Sequence, residues 1–230
     1  MKIKLIVSLL FVLAVSSACK VLKSLKELKK EEASVYHYTL NDREIAFMPM
    51  HHLGKQEFYD DIKQTVADYK KQGYVVYYEL IGTHFTKDST LLDEVRRKAR
   101  KIKGMGGSFK SEMSSSMFEK YVQQPAYKDL GIEETDVWAD VDYLQLVNRF
   151  ESGYRPIILD STDLHTPFDA PYQREAYFTK DEYQAIIIDY RNDYLIQKIV
   201  AGNDKKVLVL YGEGHRKNFR KKLNALNKQK

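Results

Sequence analysis

The sequence predicts an α/β fold, with a mixed, largely parallel sheet and helices on its faces. Three observations predict it. Val207-Leu208-Val209-Leu210-Tyr211 is an unbroken apolar and aromatic run, the pattern of a strand covered on both faces. Arg43–Met50, a helical stretch through Gln72 and Tyr74–Tyr78 read in order as a βαβ unit over residues 43–78. The strand-like runs also deliver titratable residues at their carboxyl ends: His51 and His52, then Glu79, then His215 just past Gly212. Parallel neighbouring strands would gather these at one edge, which is where open α/β sheets build sites.

The N-terminus reads as a leader. Met1-Lys2-Ile3-Lys4 is basic, Leu5 to Val15 is apolar apart from Ser8, and Val15-Ser16-Ser17-Ala18 supplies small residues before Cys19. That pattern is a secretory signal peptide, too short to span a bilayer. A cysteine directly after the small residues resembles the lipobox of bacterial lipoproteins, which implies diacylation of Cys19, a membrane anchor and a place in the bacterial cell envelope, at the outer membrane. Cys19 is the single cysteine, so no disulfide forms within the chain. Three units follow: a signal peptide at 1–18, a lysine-rich tether at 19–33 and one α/β domain at 34–230.

Charge excludes one class of partner. Loss of residues 1–18 removes Lys2 and Lys4 and no acid, so the formal charge falls from +5 to +3. That is too small a bias to argue for nucleic acid.

The domain opens with Val35–Leu40 as a strand, Asn41-Asp42 as a turn and Arg43–Met50 as the second arm of a hairpin. Pro49 implies that the ladder stops there on at least one side. Gly54 to Gln72 reads as a helix, with Phe58, Ile62, Val66 and Tyr69 on one face and Gly73 as its stop. Asp88–Lys103 reads as a charged helix that buries Leu91, Leu92, Val95, Ala99 and Ile102. Gly104, Gly106 and Gly107 mark a loop, and Ser108–Met117 reads as irregular. Tyr121–Asn148 reads as turns with a short helix, Arg155–Asp160 as a short strand and Ser161–Gln173 as a loop. Residues 181–201 read as one helix, with Ile187, Ile188, Leu195 and Ile199 on a face. Arg191 lies in the middle of that face and Asn192 at its margin. A guanidinium among aliphatic side chains needs an anion: Glu79, a substrate carboxyl or a structural acid. Gly202-Asn203-Asp204 turns into the last strand, and a basic helix from about Arg216 closes the chain.

Four segments in order, MPMHHLGKQEFY, VVYYELIG, DYRNDYLIQKI and VLVLYGEGH, resemble the TraB/PrgY/GumN–TIKI superfamily. That group includes erythromycin-esterase-like and ChaN-like proteins. WADVDYLQL is similar to an intermediate segment of the family. The resemblance covers about residues 43–215. Its terminal Gly-x-x-His motif matches Gly212 to His215. Its first aligns His51 with the family histidine, with Met48 where the family has glycine, and His52 is the neighbouring alternative. Glu79 matches the family acid and Arg191 the family arginine. TIKI relatives imply metal-dependent peptide hydrolysis, erythromycin-esterase-like relatives imply water attack assisted by His and Glu, and ChaN-like relatives imply haem binding.

Two functions follow as expectations. The first is a hydrolase of a peptide or small molecule, with His51, Glu79, Arg191 and His215 as catalytic residues. His51, Glu79 and His215 would hold one divalent ion (Mn, Co or Zn) or arrange a water directly, since two His and a carboxylate with an open position suit metal-assisted hydrolysis. Arg191 would neutralise developing negative charge. Without a metal, His51 or Glu79 would be the general base. The second is a haem- or other ligand-binding envelope lipoprotein without catalysis.

Overall fold

A computed structural model describes residues 28–228 apart from 84–85, 104, 107–119 and 175–176. The leader, Cys19 and most of the tether therefore lie outside the described residues, as does all of Ser108–Met117. Within them the predicted α/β architecture is present. The strands β1 (Tyr36–Leu40), β2 (Arg43–Met50), β4 (Val75–Tyr78), β7 (Val137–Trp138) and β9 (Lys206–Gly212) form one sheet in the order β1-β2-β9-β4-β7. β1 is antiparallel to β2, and the other pairings are parallel. Short strands make two separate pairs: β3 (Leu53–Gly54) with β6 (Val122–Gln123), and β5 (Met105–Gly106) with β8 (Tyr172–Gln173).

β9 lies in the middle of the sheet, as its unbroken apolar run requires. Val207, Val209 and Tyr211 project to one face, where they meet helix α6 (Arg191–Ala201) through Leu195 and Ile199, and helix α7 (Glu213–Lys228) through Phe219 and Leu223. Leu208 and Leu210 project to the other face, against Phe58, Ile62 and Val66 of helix α1 (Gln56–Lys71). Burial on both sides of an alternating pleat is the physical content of that run. A third apolar cluster lies among α2 (Ser89–Lys103), α3 (Tyr143–Gly153) and the residues before α6.

Local chemistry sets the element ends. Gly73 takes φ 83°, the left-handed stop after α1. Asp142 caps α3 in a reciprocal capping box with Gln145. Pro49 pairs with Tyr211 on one side, while β1 begins opposite Phe47, so the ladder on the β1 side has ended before it.

Four expectations are corrected. Helix α1 starts at Gln56 because Leu53 and Gly54 pair with Val122 and Gln123. Residues 155–160 form no strand: the Ile157 amide donates to the Glu151 carboxylate, and Asp160 turns to cap α4 (Ser161–His165), so side chains take the backbone donors that a neighbouring strand would use. That helix in turn occupies part of the stretch predicted as a loop. Residues 181–201 are not one α-helix. Helix α5 (Lys180–Tyr183) runs into a π-helical segment, Gln184–Tyr190, and then into α6. A π turn takes one residue more per hydrogen bond, so Ile186, Ile187 and Ile188 are all buried where a 100° repeat would expose one.

Candidate functional site

Glu79 follows β4 directly, and its amide extends the ladder by donating to the Leu210 carbonyl. Its carboxylate then turns toward the end of β9. Oε2 accepts from the Gly212 amide, and Oε1 accepts from Arg191 Nη2 at 2.5 Å. A Cβ at position 212 would lie 3.1 Å from Oε2, so this close approach calls for the glycine.

Asp140 comes two residues after β7, and its side chain is fully buried. It accepts from Arg191 Nε at 2.9 Å and from Nη2 at 2.6 Å, a two-pronged grip on the guanidinium. Arg191 sits where the π-helical segment gives way to α6. It is therefore held between two carboxylates from two strand ends, with its third nitrogen, Nη1, 3.3 Å from His215 Nε2.

His215 lies in the first turn of α7. Asn192 sets its tautomer. The Asn192 Nδ2 group donates to the His215 carbonyl and to Asn218 Oδ1, which leaves Asn192 Oδ1 as acceptor for His215 Nδ1 at 3.0 Å. The proton is thus on Nδ1, and Nε2 offers its lone pair to Arg191. Nε2 is 3.7 Å from Glu79 Oε1. The Tyr211 ring meets the imidazole edge-on at 4.8 Å.

Burial and charge act in opposite directions on these groups. Burial alone would raise Glu79, but the Arg191 guanidinium and the donors around the carboxylate bring it down to about 2. Burial, reinforced by Arg191, lowers His215 to about 4 despite the opposing Glu79 and Asp140 carboxylates. For Arg191 the pull of Glu79 and Asp140 outweighs burial and raises it further. At neutral pH Glu79 is charged and His215 is neutral.

His51 follows Met50, which pairs with Gly212, so it stands at the end of the strand beside β9. It is half-buried, its ring centroid is 5.3 Å from that of Phe58, and its carbonyl accepts from the Tyr59 hydroxyl. His52 is exposed, and its carbonyl accepts from the Gln124 amide. The fold thus gathers Glu79, Arg191 and His215 into one bonded cluster and sets His51 on the adjoining strand end. From β2 the chain leaves to the α1 face, and from β9 it leaves to the α7 face. Adjacent parallel strands whose connections depart to opposite faces open a crevice at their carboxyl ends.

No described protein family, curated protein or solved structure matches this chain. The geometry therefore carries the functional argument.

As arranged, the donor set fits a cation poorly. His215 Nε2 and both Glu79 oxygens already accept N–H groups, and a guanidinium nitrogen stands 3.3 Å from the lone pair a metal would take. Among the described residues no three His, Cys, Asp or Glu side chains gather where they could hold a metal ion.

Sequence reasoning did not single out Asp140, Asn218 or the Gly212 amide. Asp140 follows a strand of only two residues, too short for any periodic pattern. The signal that points to it is Arg191 itself, because a buried guanidinium with five donors needs more than one carboxylate.

Proposed function

We propose that this chain is an envelope-anchored hydrolase of an ester or amide bond in a peptide or small molecule, related to the TraB/PrgY/GumN–TIKI group. The observation that carries this reading is the Glu79–Arg191–Asp140–His215 cluster, buried at the carboxyl ends of the parallel strands β4, β7 and β9. His51 is the general base in this reading. Glu79 is a weak one, because a carboxylate lowered to about 2 holds a proton poorly at neutral pH. Glu79 and Asp140 instead fix Arg191. The first amides of α7 supply a positive helix end for the oxyanion of a tetrahedral intermediate. His51 takes the proton of a water as that water attacks the carbonyl, and returns it to the leaving group.

The metal-dependent form of this reading would use His51, Glu79 and His215 for Mn²⁺, Co²⁺ or Zn²⁺, and it requires Arg191 to release Nε2. Titration of the three ions separates the two forms. The main test is a panel of aryl esters and peptide anilides, with His51→Ala and Glu79→Gln beside the wild type. Loss of a general base should lower kcat/KM by about 10²–10⁴-fold for His51→Ala. Turnover untouched by that change would overturn the role of His51. Absence of turnover, with a Soret band on haemin addition that His51→Ala removes, would favour the haem-binding lipoprotein instead.

A further inference from the structure

Helix α7 packs inward through His215, Phe219 and Leu223, at spacings of four. Its opposite face carries Lys217, Arg220, Lys221 and Lys228, all exposed and on one stripe at helical spacing. These four form no ion pair among the described residues, whereas the cations at the margin of the helix are paired, Arg216 with Glu213 and Lys222 with Asp193. No Asp or Glu occurs from Gly214 to Lys230. With Asn224 and Ala225 the stripe lines a shallow, open depression. The face is charged along its length and nearly free of large apolar side chains, the composition for adsorbing to a charged surface without inserting into it.

We propose that this stripe docks the domain onto the anionic headgroups of a phospholipid bilayer. Charge complementarity argues for the occupant, since each lysine or arginine near an anionic leaflet adds to adsorption. Position in the fold argues for it as well. Arg216 stacks on Tyr36, the first residue of β1, at 3.9 Å, and Asn227 donates to the Thr39 carbonyl. The helix therefore lies along the same edge strand at which the chain arrives from its N-terminal segment. That segment carries the apolar run Leu5–Val15 and Cys19. The proposal is independent of the hydrolase reading, and the membrane-anchor reading enters only in the choice of occupant.

The test measures binding of the full chain to phosphatidylcholine vesicles with and without one-third phosphatidylglycerol. Retention on neutral vesicles reports the apolar N-terminus, and the added affinity for anionic vesicles reports charge. The expected result is an anionic preference that falls by about tenfold or more in the combined Lys217→Gln, Arg220→Gln, Lys221→Gln and Lys228→Gln variant, and that fades in the wild type as salt rises. A matched variant, Lys63→Gln, Lys87→Gln, Lys128→Gln and Lys180→Gln, removes four exposed charges elsewhere and should keep the preference. Equal losses in the two variants would overturn the proposal in favour of net charge alone. Tighter binding of a duplex oligonucleotide than of anionic vesicles, lost in the stripe variant, would overturn it in favour of nucleic acid.

Discussion

Arg191 illustrates how one side chain can hold four segments together. Its guanidinium joins Glu79 from β4, Asp140 from beyond β7 and His215 from α7 to its own helix. A buried ion pair adds little stability over a well-packed apolar substitute, but removal of one partner strands the rest. Arg191→Met would leave two carboxylates buried without a cation. The expected loss is about 3–5 kcal/mol in urea unfolding, and a loss below about 1 kcal/mol would mean that water reaches both acids. Gly212→Ala probes the same centre by shape. Its Cβ would meet Glu79 Oε2 at 3.1 Å, so the carboxylate must shift away from the Gly212 amide. Overpacking of this kind costs about 1–3 kcal/mol, and the same urea midpoint measures it.

At the level of elements, the π-helical segment Gln184–Tyr190 leads directly into Arg191. A π turn holds one residue more than an α turn, so deletion of Ala185 would let the segment close to α-helix while Arg191 and the helix before it keep their relative directions. Arg191 then keeps Asp140, and a repeat of about 100° per residue turns one of Ile186–Ile188 out of the apolar cluster. The deletion variant should therefore fold but unfold at a lower urea midpoint, and a wild-type midpoint would show that the π turn adds nothing to the burial of these residues. Helix α3 offers a smaller test. Asp142→Ala removes the side-chain half of the capping box and should lower stability by about 1 kcal/mol.

The buried cluster sets the acid limit of the whole molecule. His215 is lowered to about 4, from the 6.5 it has when unfolded. Between these values the unfolded chain binds a proton that the folded chain refuses, so stability falls as pH drops from 6.5 toward 4. Glu79 is lowered from 4.5 to about 2, so the stability it contributes is present above 4.5 and is lost as pH falls through that lower window. Both effects have the same sign. Urea midpoints should drop continuously from pH 6.5 down, and His215→Gln, if it folds, should flatten the upper part of that slope. A midpoint constant from pH 6.5 to 4 would contradict a buried neutral imidazole.

What the sequence by itself determined is local. An apolar run such as Val207–Tyr211 must be covered on both faces, so β9 is central wherever the other strands go. Phe58, Ile62 and Val66 recur at helical spacing, so α1 has a buried side. Glu79 and His215 stand at strand ends, and an arginine on an apolar helix face demands an anion. Each of these can be read from a few consecutive residues. The partner of Arg191 was open among three kinds of anion, and only the tertiary structure decided that Glu79 and Asp140 share it. The tertiary structure alone also decided that β9, last in the chain, lies between β2 and β4, that β7 joins the sheet with two residues, and that His215 carries its proton on Nδ1. Hydrophobic periodicity records whether a residue is buried, because burial depends on its own side chain. It carries no record of which distant residue lies opposite, because that is settled by the packing of segments that are 51 residues apart for Asp140 and Arg191 and 112 apart for Glu79 and Arg191.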